Sequence, residues 1–176
     1  MHTVARCTAA LLGLTAGFLA PPAHANPVAP VSITCAVGTQ TASYDPRLTV
    51  DSKTVGVRIE EQYGCTSPHG DIKSADGWTS FQEKGSCLIT AEPARTDVIK
   101  YKWNTHQSST VRFSITNVVR AGNGTTIVTS LGEISEGLGQ GAHAIRVVVL
   151  PTLSVTDCLF KGVAEQTGIA SLEILP

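Results

Sequence analysis

Alternation of apolar and polar residues is the feature that most limits what this chain can fold into. Along Val55–Tyr63 the odd-numbered residues are mostly apolar, and the even-numbered residues between them are glycine or polar. The segment Ile99–Trp103 follows the same rule, and in Val111–Val119 it places Val111, Phe113, Ile115 and Val119 on one predicted face. Successive side chains of a strand point to opposite faces, so a period of two predicts half-buried antiparallel β-strands.

Further strand candidates are less regular and are separated by turn signals. They are Val31–Val37, Cys87–Ala91, Thr125–Leu131, His143–Leu150 and Gly168–Leu175. The tripeptide Gly122-Asn123-Gly124 predicts a hairpin, because glycine and asparagine accept a positive φ. After the first 25 residues no window has a helical period. The pattern predicts an all-β antiparallel fold of about eight to ten short strands, as an Ig-like β-sandwich or a flattened β-barrel.

The N-terminus has the layout of a secretory signal peptide. A short basic head, Met1–Arg6, precedes the apolar run Cys7–Ala20 and the small-residue site Ala23-His24-Ala25. The run is shorter than the roughly 20 residues that a membrane-spanning helix needs, and Pro21-Pro22 would end a helix. We therefore expect cleavage after Ala25 and a secreted, extracellular protein that is not inserted in a membrane.

Cleavage would divide the 176 residues into a signal peptide (1–25), a short lead-in (26–30) and a single β domain (31–176). The remaining 151 residues suffice for one hydrophobic core. The whole chain has 13 basic and 14 acidic side chains and no basic block, which argues against nucleic acid as a partner.

Four cysteines follow the apolar run: Cys35, Cys65, Cys87 and Cys158. An even number in an exported protein predicts two disulfides, with three possible pairings. We favour Cys65–Cys87, which would close the connection between two neighbouring strands, and this leaves Cys35–Cys158.

The segment Tyr63–Asp71, YGCTSPHGD, places Cys65, His69 and Asp71 close together. A Cys-x3-His spacing without a CxxC partner does not match a zinc site, and oxidation of Cys65 would remove the thiolate ligand. We interpret the segment as a disulfide staple beside a turn, and we predict neither a metal ion nor a cofactor.

Other catalytic patterns are also missing from the sequence, and we predict no catalytic residue. No Gly-x-Ser-x-Gly motif occurs. The adjacent carboxylates Glu60 and Glu61 would point to opposite faces of a strand, so they cannot flank one bond as a glycosidase pair does.

The favoured function is a non-catalytic binding or cell-envelope interaction module, with cell wall, a glycan or an extracellular protein as its partner. Trp78, between Cys65 and Cys87, is the candidate binding residue, because an exposed aromatic in a loop suits stacking. One alternative is a hydrolase or isomerase with its site in a barrel mouth, using residues among His69, His106, His143 and Glu61. The other is a protease inhibitor that presents a braced loop, Thr66–Ser86.

The chain also resembles a group of small secreted actinobacterial four-cysteine proteins. The resemblance rests on short motifs spread over nearly the whole chain after the signal peptide: Thr34-Cys35, Tyr44–Thr49, Tyr63–Cys65, Ser86–Leu88, Trp103, Ser108-Ser109, the glycines of GEISEGLGQG, Pro151 and Cys158. Where that group tends to have Pro-Gly, this chain has Pro46-Arg47. The resemblance implies a single β domain and transfers no catalytic residue.

Overall fold

A computed structural model describes residues 31–87 and 96–176, apart from the side chains of residues 115 and 116. The predicted signal peptide, the predicted lead-in and most of the strand candidate Cys87–Ala91 lie outside the described residues. Eight strands and one short helix follow one another: β1 (Ile33–Leu48), β2 (Lys53–Thr66), β3 (Ser74–Gly85), β4 (Thr96–Trp103), β5 (Ser108–Arg120), β6 (Thr126–Gly137), β7 (His143–Leu150), α1 (Val155–Phe160) and β8 (Val163–Leu175).

The strands form a closed antiparallel barrel in which every strand pairs with its neighbours in sequence. The closing contact is between β1 and β8, where Gly38 lies opposite Ala170 and Thr41 opposite Thr167. The all-β prediction is therefore confirmed in its barrel form, with eight strands. The strands are not short, however, since β1 has 16 residues and β2 has 14.

The barrel has two ends. The lower end carries the β2–β3, β4–β5 and β6–β7 connections, and the upper end carries the β1–β2 and β5–β6 connections and α1. The predicted Gly122–Gly124 hairpin lies at the upper end, between β5 and β6, as expected. In the described part of the chain no helix is long and apolar enough to cross a membrane.

Inward-facing side chains follow the predicted alternation. Val55, Val57 and Ile59 of β2 are buried, as are Tyr101 of β4 and Phe113 of β5. The inner and outer faces of these strands were therefore assigned correctly from the sequence, because burial on one side of a sheet requires a period of two.

The prediction that Val119 shares the inward face of β5 was wrong. The register between β5 and β6 shifts between Ile115 and Asn117, which marks a β-bulge. An extra residue in one strand reverses the facing of every residue beyond it. As a result Val118 packs against the core and Val119 is exposed.

The predicted disulfide pairing was also wrong. The structure joins Cys35 to Cys65 and Cys87 to Cys158. Cys65 lies at the lower end and Cys87 at the upper end, because the whole of β3 runs between them. Twelve strand residues span about 40 Å, far beyond the Cα separation of a disulfide.

Each observed disulfide joins two cysteines at the same end of the barrel, Cys35–Cys65 at the lower end and Cys87–Cys158 at the upper end. Cys35 near the start of β1 and Cys65 near the end of β2 have Cα atoms 4.0 Å apart. Cys158 belongs to α1, a six-residue helix that begins after the N-cap Ser154. This helix was not predicted from the sequence, since six residues are too few to establish a 3.6-residue period.

Candidate functional site

A buried ion pair crosses the interior of the barrel. Glu61 of β2 is 1% exposed and Arg146 of β7 is 3% exposed. Nε of Arg146 donates to Oε1 of Glu61 at 2.7 Å, and Nη2 of Arg146 donates to Oε1 of Glu61 and to Gln40 Oε1. The network therefore connects β7 with the adjacent strands β1 and β2, although β8 lies between β7 and β1 in the sheet.

Two tyrosines occupy the second oxygen of the same carboxylate. The hydroxyls of Tyr63 and Tyr101 donate to Oε2 of Glu61 at 3.0 and 2.9 Å. Glycine makes room for both rings: a Cβ at Gly38 would lie 2.3 Å from the Tyr63 ring, and one at Gly77 would lie 2.5 Å from the Tyr101 ring. These two glycines let the rings lie against the wall of the barrel, where their hydroxyls reach Glu61.

The environment shifts the pKa of every ionisable partner of Glu61. Burial, followed by the negative charge of Glu61, raises the pKa of Tyr63 and of Tyr101 far above 10.0. Burial alone would lower the pKa of Arg146, but the charge of Glu61 and the nearby tyrosines raise it overall. Arg146 is therefore a permanent cation, and both tyrosines stay protonated in the folded protein.

The third tyrosine of the chain is also buried. Tyr44 donates a 3.3 Å hydrogen bond to Gln166 Oε1, and burial, with a contribution from Glu83, raises its pKa from 10.0 to about 12. All three tyrosines consequently ionise more readily in the unfolded chain than in the barrel.

We expect the barrel to lose stability above pH 10 and to unfold cooperatively in alkali. The unfolded chain releases its tyrosine protons near pH 10 while the folded chain retains them, so the free energy of unfolding falls as pH rises through this window. Tyrosinate absorbance and circular dichroism, followed together, should change in one step. Ionisation of any tyrosine near pH 10 with the circular dichroism unchanged would contradict this expectation.

The carboxylate of Glu61 has no capacity left for chemistry in this arrangement. Oε1 is engaged by Arg146, and Oε2 by the two tyrosines. A general base must be able to approach a substrate proton. Glu61, enclosed and saturated with donors, instead ties the wall of the barrel together.

The three candidate histidines do not join Glu61. His69 lies in the β2–β3 connection, His106 in the β4–β5 hairpin and His143 at the start of β7, and all three are exposed. They share the lower end of the barrel. Nevertheless, within residues 31–87 and 96–176 no group of three His, Cys, Asp or Glu side chains could hold a metal ion.

The segment Tyr63–Asp71 contains both a disulfide and a hydrogen-bonded turn, as interpreted, although the bridge leads to Cys35. Ser67 Oγ donates to Asp71 Oδ1 at 2.7 Å, and this bond lowers the pKa of Asp71. In a catalytic triad the serine would donate to the histidine. Here it donates to the carboxylate, so the Ser67, His69 and Asp71 arrangement is a turn.

The proposed inhibitory loop is largely a strand. Of Thr66–Ser86, the part Ser74–Gly85 is β3, which pairs with β2 along its whole length. On its other side, within the described part of the chain, β3 pairs with β4 through Ala75–Trp78 only. The predicted loop is therefore a strand of the barrel over most of its length, and the inhibitor hypothesis itself stays a prediction.

Trp78 lies in the middle of β3, not in a loop, but its predicted exposure is confirmed. The side chain is 44% exposed and points outward. Its partners in the register are Glu60 of β2 and Lys100 of β4, which also face outward. Trp78 therefore presents an aromatic ring between charged side chains on the outer surface of the barrel.

A cleft of about 600 Å³ lies on the neighbouring part of β1, β2 and β3. Its lining consists of Ser43, Tyr44, Asp45, Gly56, Val57, Arg58, Ser80, Phe81 and Gln82. Tyr44 and Val57 are buried on the inner side, so their side chains point away from the cleft. The outward side chains are polar, and Gly56 leaves a depression between them.

An exposed ion pair lies at the rim of the cleft. Nε and Nη2 of Arg58 donate to Oε1 of Glu60 at 2.9 and 2.5 Å. Ser80 at the cleft is two residues from Trp78, and both face outward, so their Cα atoms are about 7 Å apart. The aromatic ring and the polar cleft therefore adjoin each other on one surface.

Trp78 was predicted from the sequence as a binding residue, whereas the cleft and the role of Arg146 were not predicted. Arg146 lies within the strand candidate His143–Leu150, and no partner was assigned to it. Glu61 at an inward position of an apolar alternation was the available signal that a buried cation would lie opposite.

Comparisons with protein-family models, with curated proteins and with solved structures found no match.

Proposed function

We propose that this protein is a secreted, non-catalytic carbohydrate-binding module. The binding surface is the outer face of β1, β2 and β3, with Trp78 as the stacking platform and the adjacent cleft as the polar subsite. Export is supported by the N-terminal signal-peptide pattern and by the two disulfides, which persist in oxidising compartments.

The exposure of Trp78 is the observation that carries the proposal. The Trp78 side chain is 44% exposed and points away from the core, so the exposed part of its indole ring is not needed for packing. The apolar face of a pyranose ring can pack on such a surface while the sugar hydroxyls remain available for hydrogen bonds. Exposed aromatic surface bordered by polar groups is typical of a binding site.

The cleft supplies the hydrogen-bonding part of the site. Ser43, Ser80 and Gln82 can donate and accept, Asp45 accepts and Arg58 donates. A volume of about 600 Å³ lies within the usual range for small-ligand sites and would hold one or two sugar rings. With one ring on Trp78, the next unit of a chain would reach the cleft, which favours an oligosaccharide or polysaccharide.

The interior of the barrel gives less support to an enzyme. Buried side chains such as Tyr101, Trp103 and Phe113 fill the region around Glu61, and Glu61 itself is saturated. The outer face is accessible without any rearrangement. We therefore prefer binding over hydrolysis or isomerisation.

Substituting Trp78 by alanine should weaken saccharide binding about tenfold to a hundredfold, because stacking on an aromatic ring is worth roughly 1–3 kcal/mol. Retention of the purified protein on insoluble peptidoglycan, chitin or cellulose identifies the class of polysaccharide that it binds. Titration with the corresponding soluble tetrasaccharide then gives the affinity. The chain has only two tryptophans, and Trp103 is buried, so a fluorescence change on binding reports on Trp78.

Val155→Ala is the control, since Val155 is an exposed apolar residue on α1, outside the three strands of the proposed binding surface. It should leave the affinity unchanged, and Trp78→Phe should retain part of it. Equal affinities for Trp78→Ala and the original protein, or no retention on any of the three polymers, would refute the proposal.

A further inference from the structure

The outer surface around β7 is apolar, in contrast to the outer surface around β2. We use the term apolar face for six outward residues on three adjacent strands: Ile127, Leu131, Ile145, Val147, Val149 and Ile169. Ile169 is 65% exposed and Leu131 is 48% exposed, and the other four are partly exposed.

The strand register places these residues side by side. Ile127, Val149 and Ile169 form one row across β6, β7 and β8. Val119, 46% exposed on β5, extends this row next to Ile127. The following row joins Thr129, Val147 and Ser171, so the surface is continuous.

Charge is almost excluded from this region. In the third row Leu131 lies beside Ile145, and only the corner position, Glu173, is charged. An isolated exposed apolar residue needs no explanation, whereas the largest contiguous apolar patch on a protein surface is often an interaction site. Within residues 31–87 and 96–176 no helix or loop buries it, since Leu131 and Ile169 are exposed and the other four residues are partly exposed.

The size of the face fits a small dimer interface. With Val119 on β5 the surface spans four strands about 4.8 Å apart and five residues at about 3.3 Å each, and with its side chains it covers roughly 400 Å². Two copies would bury about 800 Å² of apolar surface, an area characteristic of weak, transient complexes.

We propose that the apolar face binds a second copy of this chain, forming a two-fold symmetric dimer. A two-fold interface brings the same patch of both copies together, so an uncharged apolar surface is automatically complementary to itself. A charged partner would gain no electrostatic attraction from this face, because its six residues carry no charge. The modest area predicts a dimer that dissociates on dilution.

The dimer would leave the proposed saccharide surface free. In a ring of eight strands, β3 with Trp78 is four places from β7, on the opposite side of the barrel. Two copies joined through β7 would therefore present two binding surfaces that face away from each other. This consequence depends on the proposed function, but the dimer itself does not.

Sedimentation velocity of the purified, disulfide-bonded chain tests the proposal over about 1 to 200 µM, the range in which a small interface is half occupied. We expect the mass to rise from that of one chain to that of two. Leu131→Asp and Ile169→Asp should each raise the dissociation constant at least a hundredfold, because an unpaired carboxylate becomes buried in the interface.

Gln62→Asp, on the outer face of β2, is the matched control and should dimerise like the original chain. Circular dichroism and a non-reducing peptide map confirm that each variant is folded. A monomer at every concentration, or a dimer that both aspartate variants leave intact, would overturn the proposal. So would flotation of a monomer with phosphatidylcholine vesicles that Ile169→Asp abolishes, since the face would then bind lipid.

Discussion

Replacing Arg146 by methionine is expected to lower the free energy of unfolding by about 3–5 kcal/mol, because the charge of Glu61 would be left buried without its partner. Arg146 also donates to Gln40, which would lose that bond. The side chain of methionine fills a similar volume, so the effect reports on charge more than on packing. Urea denaturation of the single variant against the original chain measures it.

A second substitution should reverse much of this loss. In the double variant Glu61→Gln/Arg146→Met, the buried charge is gone, and the glutamine oxygen can still accept from Tyr63 and Tyr101. We expect the double variant to be more stable than Arg146→Met alone. Arg112→Met, at an exposed position of β5, is the control and should change stability by no more than about 0.5 kcal/mol. Additive losses in the double variant would contradict the buried-pair interpretation.

Removal of the Cys87–Cys158 disulfide, as the variant Cys87→Ser/Cys158→Ser, should lower stability by about 4 kcal/mol. The bridge joins residues 71 apart, and a cross-link of that length removes much chain entropy from the unfolded state. For a chain of this size the expected fall in Tm is roughly 8–16 °C. Differential scanning calorimetry of the oxidised proteins measures it.

The two bridges should differ in their local effects. Cys35–Cys65 joins strands that are already hydrogen-bonded to each other, whereas Cys87–Cys158 fixes α1 at the upper end. Hydrogen exchange in α1 should therefore accelerate in Cys87→Ser/Cys158→Ser and stay slow in Cys35→Ser/Cys65→Ser. Equal protection of α1 in both variants would show that the bridge does not hold the helix. A peptide map with any other pairing would remove the basis of the comparison.

The all-β class could be predicted from the sequence, because burial of one face of a strand produces an alternation of apolar and polar residues. The alternation around Val57 and Ile59 continues through Glu61 into Tyr63, and all four residues face inward. Glu60 is exposed, as the opposite-face argument required. The choice between sandwich and barrel could not be made in the same way. It depends on whether β8 pairs with β1, and both arrangements have alternating strands.

Features that depend on contacts between distant residues were the ones that sequence reasoning missed. The pairing of Cys87 with Cys158 follows from both lying at the upper end, which no spacing reveals. The exposure of Val119 follows from a single bulge. The partnership of Glu61 and Arg146 required knowing that β2 and β7 face each other across the interior.

The saccharide surface illustrates an intermediate case. Trp78 could be selected from the sequence because aromatic residues are few, with two tryptophans in the chain. The cleft beside it is formed by residues from three strands around Gly56, and only the register of β1, β2 and β3 brings them together.

The pairing of β1 with β8 has a consequence for biosynthesis. The hydroxyls of Thr41 and Thr167, 3.2 Å apart across this seam, are separated by 126 positions in the chain. A nascent polypeptide can assemble β1 to β7 in succession, yet until β8 emerges both edges of the sheet keep unsatisfied amide and carbonyl groups. A premature stop codon just before Val163 would therefore produce a fragment that aggregates through its exposed strand edges.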